Sequence, residues 1–250
     1  MSDVYIKMDN VEMAYPSNIY NAKTIKQEVF AKLRLEKPKP LLKDVHALRN
    51  FTFYAQAGDR VGIIGHNGAG KSTLLKTVAG IYPIESGKLE VKGKIKALFD
   101  LILGFDLEST GRENIVYRGL LLGATPDEIK QKTEEIIEFS ELGDFIDYPI
   151  RSYSSGMLVR LAFSVSTSLA GEILLLDEVI AAGDAHFVGK ARKRMLDLMD
   201  KSEIMMLVTH DLSTALEVCN RVILIEKGQI VADGDPKEIV DLYKKQMGIV

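Results

Sequence analysis

The chain has 250 residues, enough to bury one sizeable core as a single domain with a subdomain, or two small domains. Its 32 Lys and Arg against 35 Asp and Glu leave a net charge of −3, which excludes a global basic field for nucleic acid. The single cysteine, Cys219, excludes an internal disulfide and fits a reducing compartment; Met1-Ser2-Asp3-Val4-Tyr5 has no secretory pattern and no uncharged apolar run reaches about 18 residues, so a soluble chain is expected.

In chain order, residues 4–8 and 11–15 alternate as two short strands, with Pro16 ending the second. An inserted stretch at about 21–37 follows, where Asn21 or Thr24 can cap a helix that puts Ile25, Val29, Phe30 and Leu33 on one face. From Asn21 to Lys43, seven Lys and Arg oppose Glu28 and Glu36, a local charge of +5. Such a face either lies on an anionic membrane surface, docks on a partner, or is simply solvated. Pro38-Lys39-Pro40 breaks it, and strands are expected over 46–56 and 59–64.

Val61-Gly62-Ile63-Ile64-Gly65-His66-Asn67-Gly68-Ala69-Gly70-Lys71-Ser72-Thr73 then reads as a strand, a glycine-rich loop and a helix start, the G-x-x-x-x-G-K-[ST] order of a phosphate-binding loop. Glycines at 65, 68 and 70 let backbone N–H groups approach phosphate oxygens, and the helix presents its positive end to them. Lys71 suits the β- and γ-phosphates of a nucleotide, and the Ser72 hydroxyl suits Mg²⁺, an ion that takes few protein ligands there. The helix stops at Gly80, and residues 86–91 and 94–99 are expected as an antiparallel piece beside this core.

From Thr110 the pattern turns helical, and residues 110–170 are expected as a helical insert. Thr110-Gly111-Arg112-Glu113 and Thr125-Pro126-Asp127-Glu128 match the capping box, Gly123 and Gly143 close the two helices, and a third runs from Ser155 to Ala170. The core resumes as Ile173-Leu174-Leu175-Leu176, a strand apolar enough to be buried on both faces, with Asp177 and Glu178 at its carboxyl end, where open α/β sheets bind ligands. Helix 185–199, strand 204–208, helix 212–218, strand 222–225, a hairpin at 226–229 and a last helix from Asp235-Pro236 follow. No internal repeat or low-complexity tract is present.

The phosphate loop, Tyr153-Ser154-Ser155-Gly156-Met157, Leu176-Asp177-Glu178, Ala182-Gly183-Asp184 and Val208-Thr209-His210-Asp211, in that order, resemble the nucleotide-binding subunit of an ABC transporter over nearly the whole chain. Y-S-S-G-M, Gly104-Phe105 and Thr110-Gly111-Arg112-Glu113-Asn114 narrow the resemblance to ATPases that export O-antigen, capsular and teichoic-acid polysaccharides, in the form without a C-terminal carbohydrate-binding domain. The resemblance implies an α/β P-loop NTPase of the ABC fold, with a mixed core sheet, an antiparallel β subdomain and a helical subdomain in one ATPase domain over 1–250. It implies ATP and Mg²⁺ as cofactors, with the 65–73 loop on the phosphates and Tyr15 on adenine. Glu178 would be the group that polarises water, His210 the γ-phosphate sensor, and Asp177 with Ser72 the metal ligands.

Ser154, Ser155 and Gly156 at a helix start would meet the phosphates of ATP held by another copy, with Asp184 along the seam, giving a head-to-tail homodimer. Asp100 stands where the family has glutamine; either it takes over a contact to Mg²⁺ or water, or that coupling runs differently. The segment from Asp100 to Glu113 is where the family docks an integral-membrane permease, so Leu101, Leu103 and Phe105 are candidates for that surface. The implied function is ATP-driven export of a lipid-linked polysaccharide from the cytoplasmic side of the membrane, with no nucleic-acid partner. The alternatives are another ABC transporter ATPase, a nucleic-acid or ribosome-associated cassette, or a nucleotide-binding scaffold without turnover.

Overall fold

The structure, a computed structural model, describes residues 3–15, 45–99, 101–177 and 185–248; the expected basic helix at 21–37, Asp100, Glu178 and Asp184 lie outside the described residues. Strand β1 (Tyr5–Tyr15) pairs antiparallel with β2 (Val45–Gln56) and with β4 (Ser86–Lys92) in a three-stranded sheet ordered β2-β1-β4. The two strands expected at 4–8 and 11–15 are thus one. The polar Asp9-Asn10 step is absorbed as an irregularity of register with Asn10 at φ 47°, a conformation that asparagine tolerates better than most residues.

The second sheet has six strands in the order β5-β6-β7-β3-β8-β9, formed by β3 (Arg60–Ile64), β5 (Ile95–Leu98), β6 (Ile173–Asp177), β7 (Ile204–Val208), β8 (Arg221–Glu226) and β9 (Gln229–Gly234). All its pairings are parallel except β8 with β9. Here one expectation is corrected: residues 95–98 do not extend the antiparallel piece but join the core sheet parallel to β6. Gly93, at φ 131°, redirects the chain between the two sheets. Residues Ile173–Leu176 and Ile204–Val208 are buried throughout, as central parallel strands covered on both faces require.

Helix α1 (Lys71–Val78) lies between the sheets, its Leu74, Leu75 and Val78 joining Phe51 and Phe53 of β2 and Ile63 of β3 in one cluster. Across the core sheet, α5 (Ala185–Lys201), α6 (Leu212–Val218) and α7 (Pro236–Gln246) contribute Met195, Met199, Ala215, Ile239 and Val240 to a second cluster. Full burial of such side chains is worth roughly 1.5–3 kcal/mol each, so these two layers fix where the strand ends stand. Cys219 sits in this second layer; a Cβ added at Gly62 would lie 3.1 Å from its Sγ, and burial pushes its thiol up to about 12.

The helical subdomain has its own core. Helices α2 (Gly111–Leu121), α3 (Pro126–Ser140) and α4 (Ser155–Ser168) enclose Ile115, Ile129, Ile136, Leu161 and Val165. Both expected capping boxes form, at Thr110 with Glu113 and at Thr125 with Glu128. Gly123 follows α2 at φ 79°, but the left-handed residue that ends α3 is Glu141, at φ 53°, and Gly143 instead opens a short 3-10 turn.

Candidate functional site

The loop after β3 is shaped by two glycines that no other residue could replace without moving the backbone. At Gly65, φ 144°, an added Cβ would lie 2.2 Å from the carbonyl oxygen of Ile225; at Gly70, φ 107°, it would lie 2.4 Å from that of Ala47. The chain between them is closed by Ala69 N–H donating to His66 O at 3.1 Å and tied to the β8–β9 turn by Gly228 N–H donating to Ala69 O at 2.8 Å. Lys71 is buried, its ammonium donating to Gly65 O at 2.7 Å and His66 O at 2.9 Å, so the charge is held at the centre of the loop's curve. Helix α1 starts at Gly70 with no side-chain cap, which leaves its first-turn N–H groups for an anion.

Parallel pairing puts the other expected groups beside this loop. Val208 of β7 is opposite Ile63 of β3 on one side and Asp177 of β6 on the other, so three adjacent strands deliver the loop, Thr209-His210 and Asp177 to one edge. They open on a cleft of about 730 Å³ that Tyr15, Asn67, Gly68, Gly70, Lys71, Ser72, Thr73, Asp177 and His210 line together with Val45, His46 and Phe99. The last three were not expected. His46 and Phe99 reach the cleft through the β1–β2 register and the crossover of β5, which no local pattern announces.

The details refine several roles. Ser72 is exposed to the cleft, whereas the Thr73 hydroxyl shares a hydrogen bond of 2.9 Å with Tyr15 Oη. Tyr15 also meets Tyr82 edge-on, with ring centroids 5.5 Å apart, and burial pushes its phenol pKa up. The imidazole of His66 packs edge-on against Tyr243 of α7, 5.7 Å between centroids, so His66 contributes backbone to the loop while its ring contacts the last helix. Beside His210, the Thr209 hydroxyl accepts from Asp211 N–H at 3.0 Å and Asp211 caps α6 by accepting from Ser213 N–H at 3.0 Å. The Ser213 and Thr214 hydroxyls that donate to Asp211 hold its carboxyl down to about 2.

Ser72 and Asp177 form the donor set that a nucleotide-bound Mg²⁺ would need, one hydroxyl and one carboxylate facing the same cleft, and among the described residues no cluster of three or more His, Cys, Asp and Glu offers a protein-only metal cage.

Ser154, Ser155 and Gly156 stand elsewhere. Ser154 caps α4 by accepting from Met157 N–H at 3.2 Å, and Ser155 is exposed in the first turn; neither lines the cleft of its own chain. Tyr153 anchors this start: its hydroxyl donates to Phe145 O at 2.6 Å and packs on Gly111, where an added Cβ would lie 2.4 Å away. Burial, with Asp147 adding to it, pushes the Tyr153 phenol up to about 12. The adjoining 106–110 turn is held by Asn114, which is fully buried and donates to Asp106 O, Ser109 O and Thr110 O at 2.8–3.2 Å. Of the three residues expected on a partner surface, only Leu103 is exposed, at 69%; Leu101 packs on the second core layer and Phe105 on the helical core. Ile102, Leu107, Val116, Tyr117, Leu120 and Leu121 are also left open in this stretch and the helix after it.

A family model described as ABC transporter matches residues 48–181. The chain is 46% identical over 226 residues to an O-antigen export system ATP-binding protein of Yersinia enterocolitica, covering 88% of this chain and 94% of that one. It is 42% identical over 226 residues to an O-antigen export system ATP-binding protein of Myxococcus xanthus, covering 90% of this chain and 52% of that one, about half its length. It is also 42% identical over 203 residues to a teichoic acids export ATP-binding protein of Lactococcus lactis, covering 81% of this chain and 43% of that one. Among solved structures, an ATP-binding subunit of an ABC transporter superposes with a TM-score of 0.69 at 19% identity over 97% of this chain and 93% of that one, which shows the shared fold. With the phosphate loop, Asp177 and His210 gathered on one sheet edge and Ser154-Ser155-Gly156 at a separate helix start, the chain belongs to the ABC transporter family and carries its ATPase module.

Proposed function

We propose that two copies of this chain hold two ATP molecules head to tail, and that hydrolysis drives export of a lipid-linked polysaccharide through a separate membrane permease from its cytoplasmic face. The observation that carries this reading is the split site: the phosphate loop and Ser154–Gly156 are both preformed, yet the serines lie outside the cleft of their own chain. An exposed helix start that carries the Ser154 and Ser155 hydroxyls at its positive end suits the γ-phosphate of a nucleotide in a second copy. The export names of the Yersinia, Myxococcus and Lactococcus relatives support the class of cargo. No described helix is long and apolar enough to cross a membrane, so the translocation path would belong to another subunit, for which Leu103, Leu107 and Leu121 offer an apolar contact.

The chemistry asks little of the protein beyond position and charge. Lys71 and the N–H groups of the loop and α1 hold the β- and γ-phosphates, and Tyr15 offers its ring to the base. Glu178, at the residue after Asp177, would orient a water in line with the γ-phosphorus; the water oxygen bonds to phosphorus as the bond to the β-bridging oxygen breaks, giving ADP and phosphate. His210, at the end of β7, would donate to a γ-phosphate oxygen. Mg²⁺ held by Ser72 and Asp177 would neutralise phosphate charge. Loss of the γ-phosphate removes what the two copies share, and the pair opens.

Glu178→Gln is the test. With Mg²⁺ and ATP it should lower turnover by on the order of 10²-fold or more while a stable dimer accumulates, measured by light scattering on a sizing column. A variant that stays monomeric, or that turns over normally, overturns the reading.

A further inference from the structure

We propose that Lys96 is a positioning residue for the ATPase reaction: from β5 it holds the far end of α4, the helix whose near end carries Ser154 and Ser155. The inference rests on the reading that these serines face the nucleotide of a second copy.

Lys96 is 7% exposed, and its ammonium donates to the carbonyl oxygen of Thr167 at 3.0 Å and to that of Leu169. These are carbonyls at the carboxyl end of α4, where the helix dipole is negative and no intrahelical partner remains. Helix α4 has no basic residue in its own last turn, so the side-chain donors to its last carbonyls come from outside it. A second cation arrives from α5, where Arg194 donates to Ser168 Oγ at 3.0 Å and to Glu135 Oε1 at 2.5 Å. Room for Lys96 is kept by Gly171, where an added Cβ would lie 2.5 Å from Lys96 Cβ.

Lys96 forms no ion pair with a carboxylate among the described residues, and its described acceptors are neutral carbonyls. Burying an ammonium on such terms costs more than burying a methionine of similar size, so packing does not explain the residue. Its place does. Three residues beyond Lys96 the same strand direction brings Phe99 into the nucleotide cleft. Arg194 belongs to the helix that follows Asp177 in the chain. The strand that runs into the cleft and the helix that follows Asp177 in the chain therefore both grip the same helix end. Helix α4, with 14 residues, carries that grip about 20 Å to Ser154 and Ser155. Lys96 acts through this helix and touches no phosphate.

The test uses the full chain with Glu178→Gln, comparing it with the same protein carrying Lys96→Met or Lys96→Arg. Affinity for Mg²⁺ and ATP is measured on the dilute monomer by calorimetry, and ATP-driven dimerisation by sedimentation. The expected result is that Lys96→Met keeps ATP affinity within about twofold yet dimerises about tenfold more weakly, and that Lys96→Arg restores most of the loss. A lysine that served only stability would move both constants together, and that outcome overturns the proposal, as does a full-strength dimer in Lys96→Met. If Lys96→Met does not fold, Lys96→Gln, which keeps a donor without the charge, is held to the same two outcomes. A Glu178→Gln parent that remains monomeric removes the reading beneath the proposal, and the proposal with it.

Discussion

The two surfaces proposed to face phosphate are built differently. The loop at 65–73 is enclosed: Gly65 and Gly70 are pressed against backbone from β8 and from β2, and Lys71 is buried with its charge on the loop's own carbonyls. The start of α4 is open, with Ser154 and Ser155 exposed and Tyr153 as their tether to the 3-10 turn at Gly143–Asp147. The first surface has the preorganisation that holding a triphosphate within one chain would call for. The second is tied down behind and bare in front, as the proposed site divided between two copies would require.

Substitutions should affect the two surfaces differently. Lys71→Ala removes the cation at the centre of the loop and should weaken ATP affinity by on the order of 100-fold in the monomer, read by calorimetry. Unchanged binding would break the contrast at its stronger side. Ser154→Ala deletes the cap of α4, worth about 1 kcal/mol, and should lower kcat several-fold with monomer ATP affinity unchanged; a matching loss of affinity would mean that both surfaces serve one nucleotide in one chain. Tyr15→Ala should raise KM about five- to tenfold with little change in kcat, the low end of the roughly 1–3 kcal/mol that a ring stacked on a base contributes, since the ring takes no part in bond breaking.

The smallest effect is in pH. Burial, with Arg194 adding to it, lowers Lys96 from its ordinary 10.5 to about 7, and Lys94, Lys132, Glu128 and Glu135 face the adjoining cavity. Below pH 7 both folded and unfolded chains carry the charge, and the folded state bears the whole burial cost. Between about 7 and 10.5 only the unfolded chain holds the proton, so this group's contribution to stability rises with pH. Thermal unfolding of the wild type should gain on that of Lys96→Met between pH 7 and 9, and parallel curves would remove the lysine as the cause.

Local chemistry made much of this legible from the sequence. The glycine spacing, the two capping boxes and the apolar runs at 173–176 and 204–208 specify loop, helix starts and buried strands by short-range rules, and all are found there. Where the pairing is distant in sequence, the rules stop. Residues 95–98 alternate as an antiparallel strand would, and only their partner β6, nearly 80 residues on, makes them part of the core sheet. His46, Phe99 and Lys96 were missed for the same reason: their roles depend on β1–β2 register and on strand order. Tyr153 could be placed next to the serines, but its hold on Phe145 could not, since a hydrogen bond to a backbone oxygen leaves no mark on residue type.

The packing of Cys219 against Gly62 has a practical consequence. A thiol pushed up to about 12 and largely covered by the strand that leads into the phosphate loop reacts slowly with alkylating reagents until β3 and its covering layer separate. As the chain's one cysteine it is a native clock for that separation. Its rate of modification, followed by mass, times the opening of the sheet centre without any introduced label, and a nucleotide seated on the loop above should slow it.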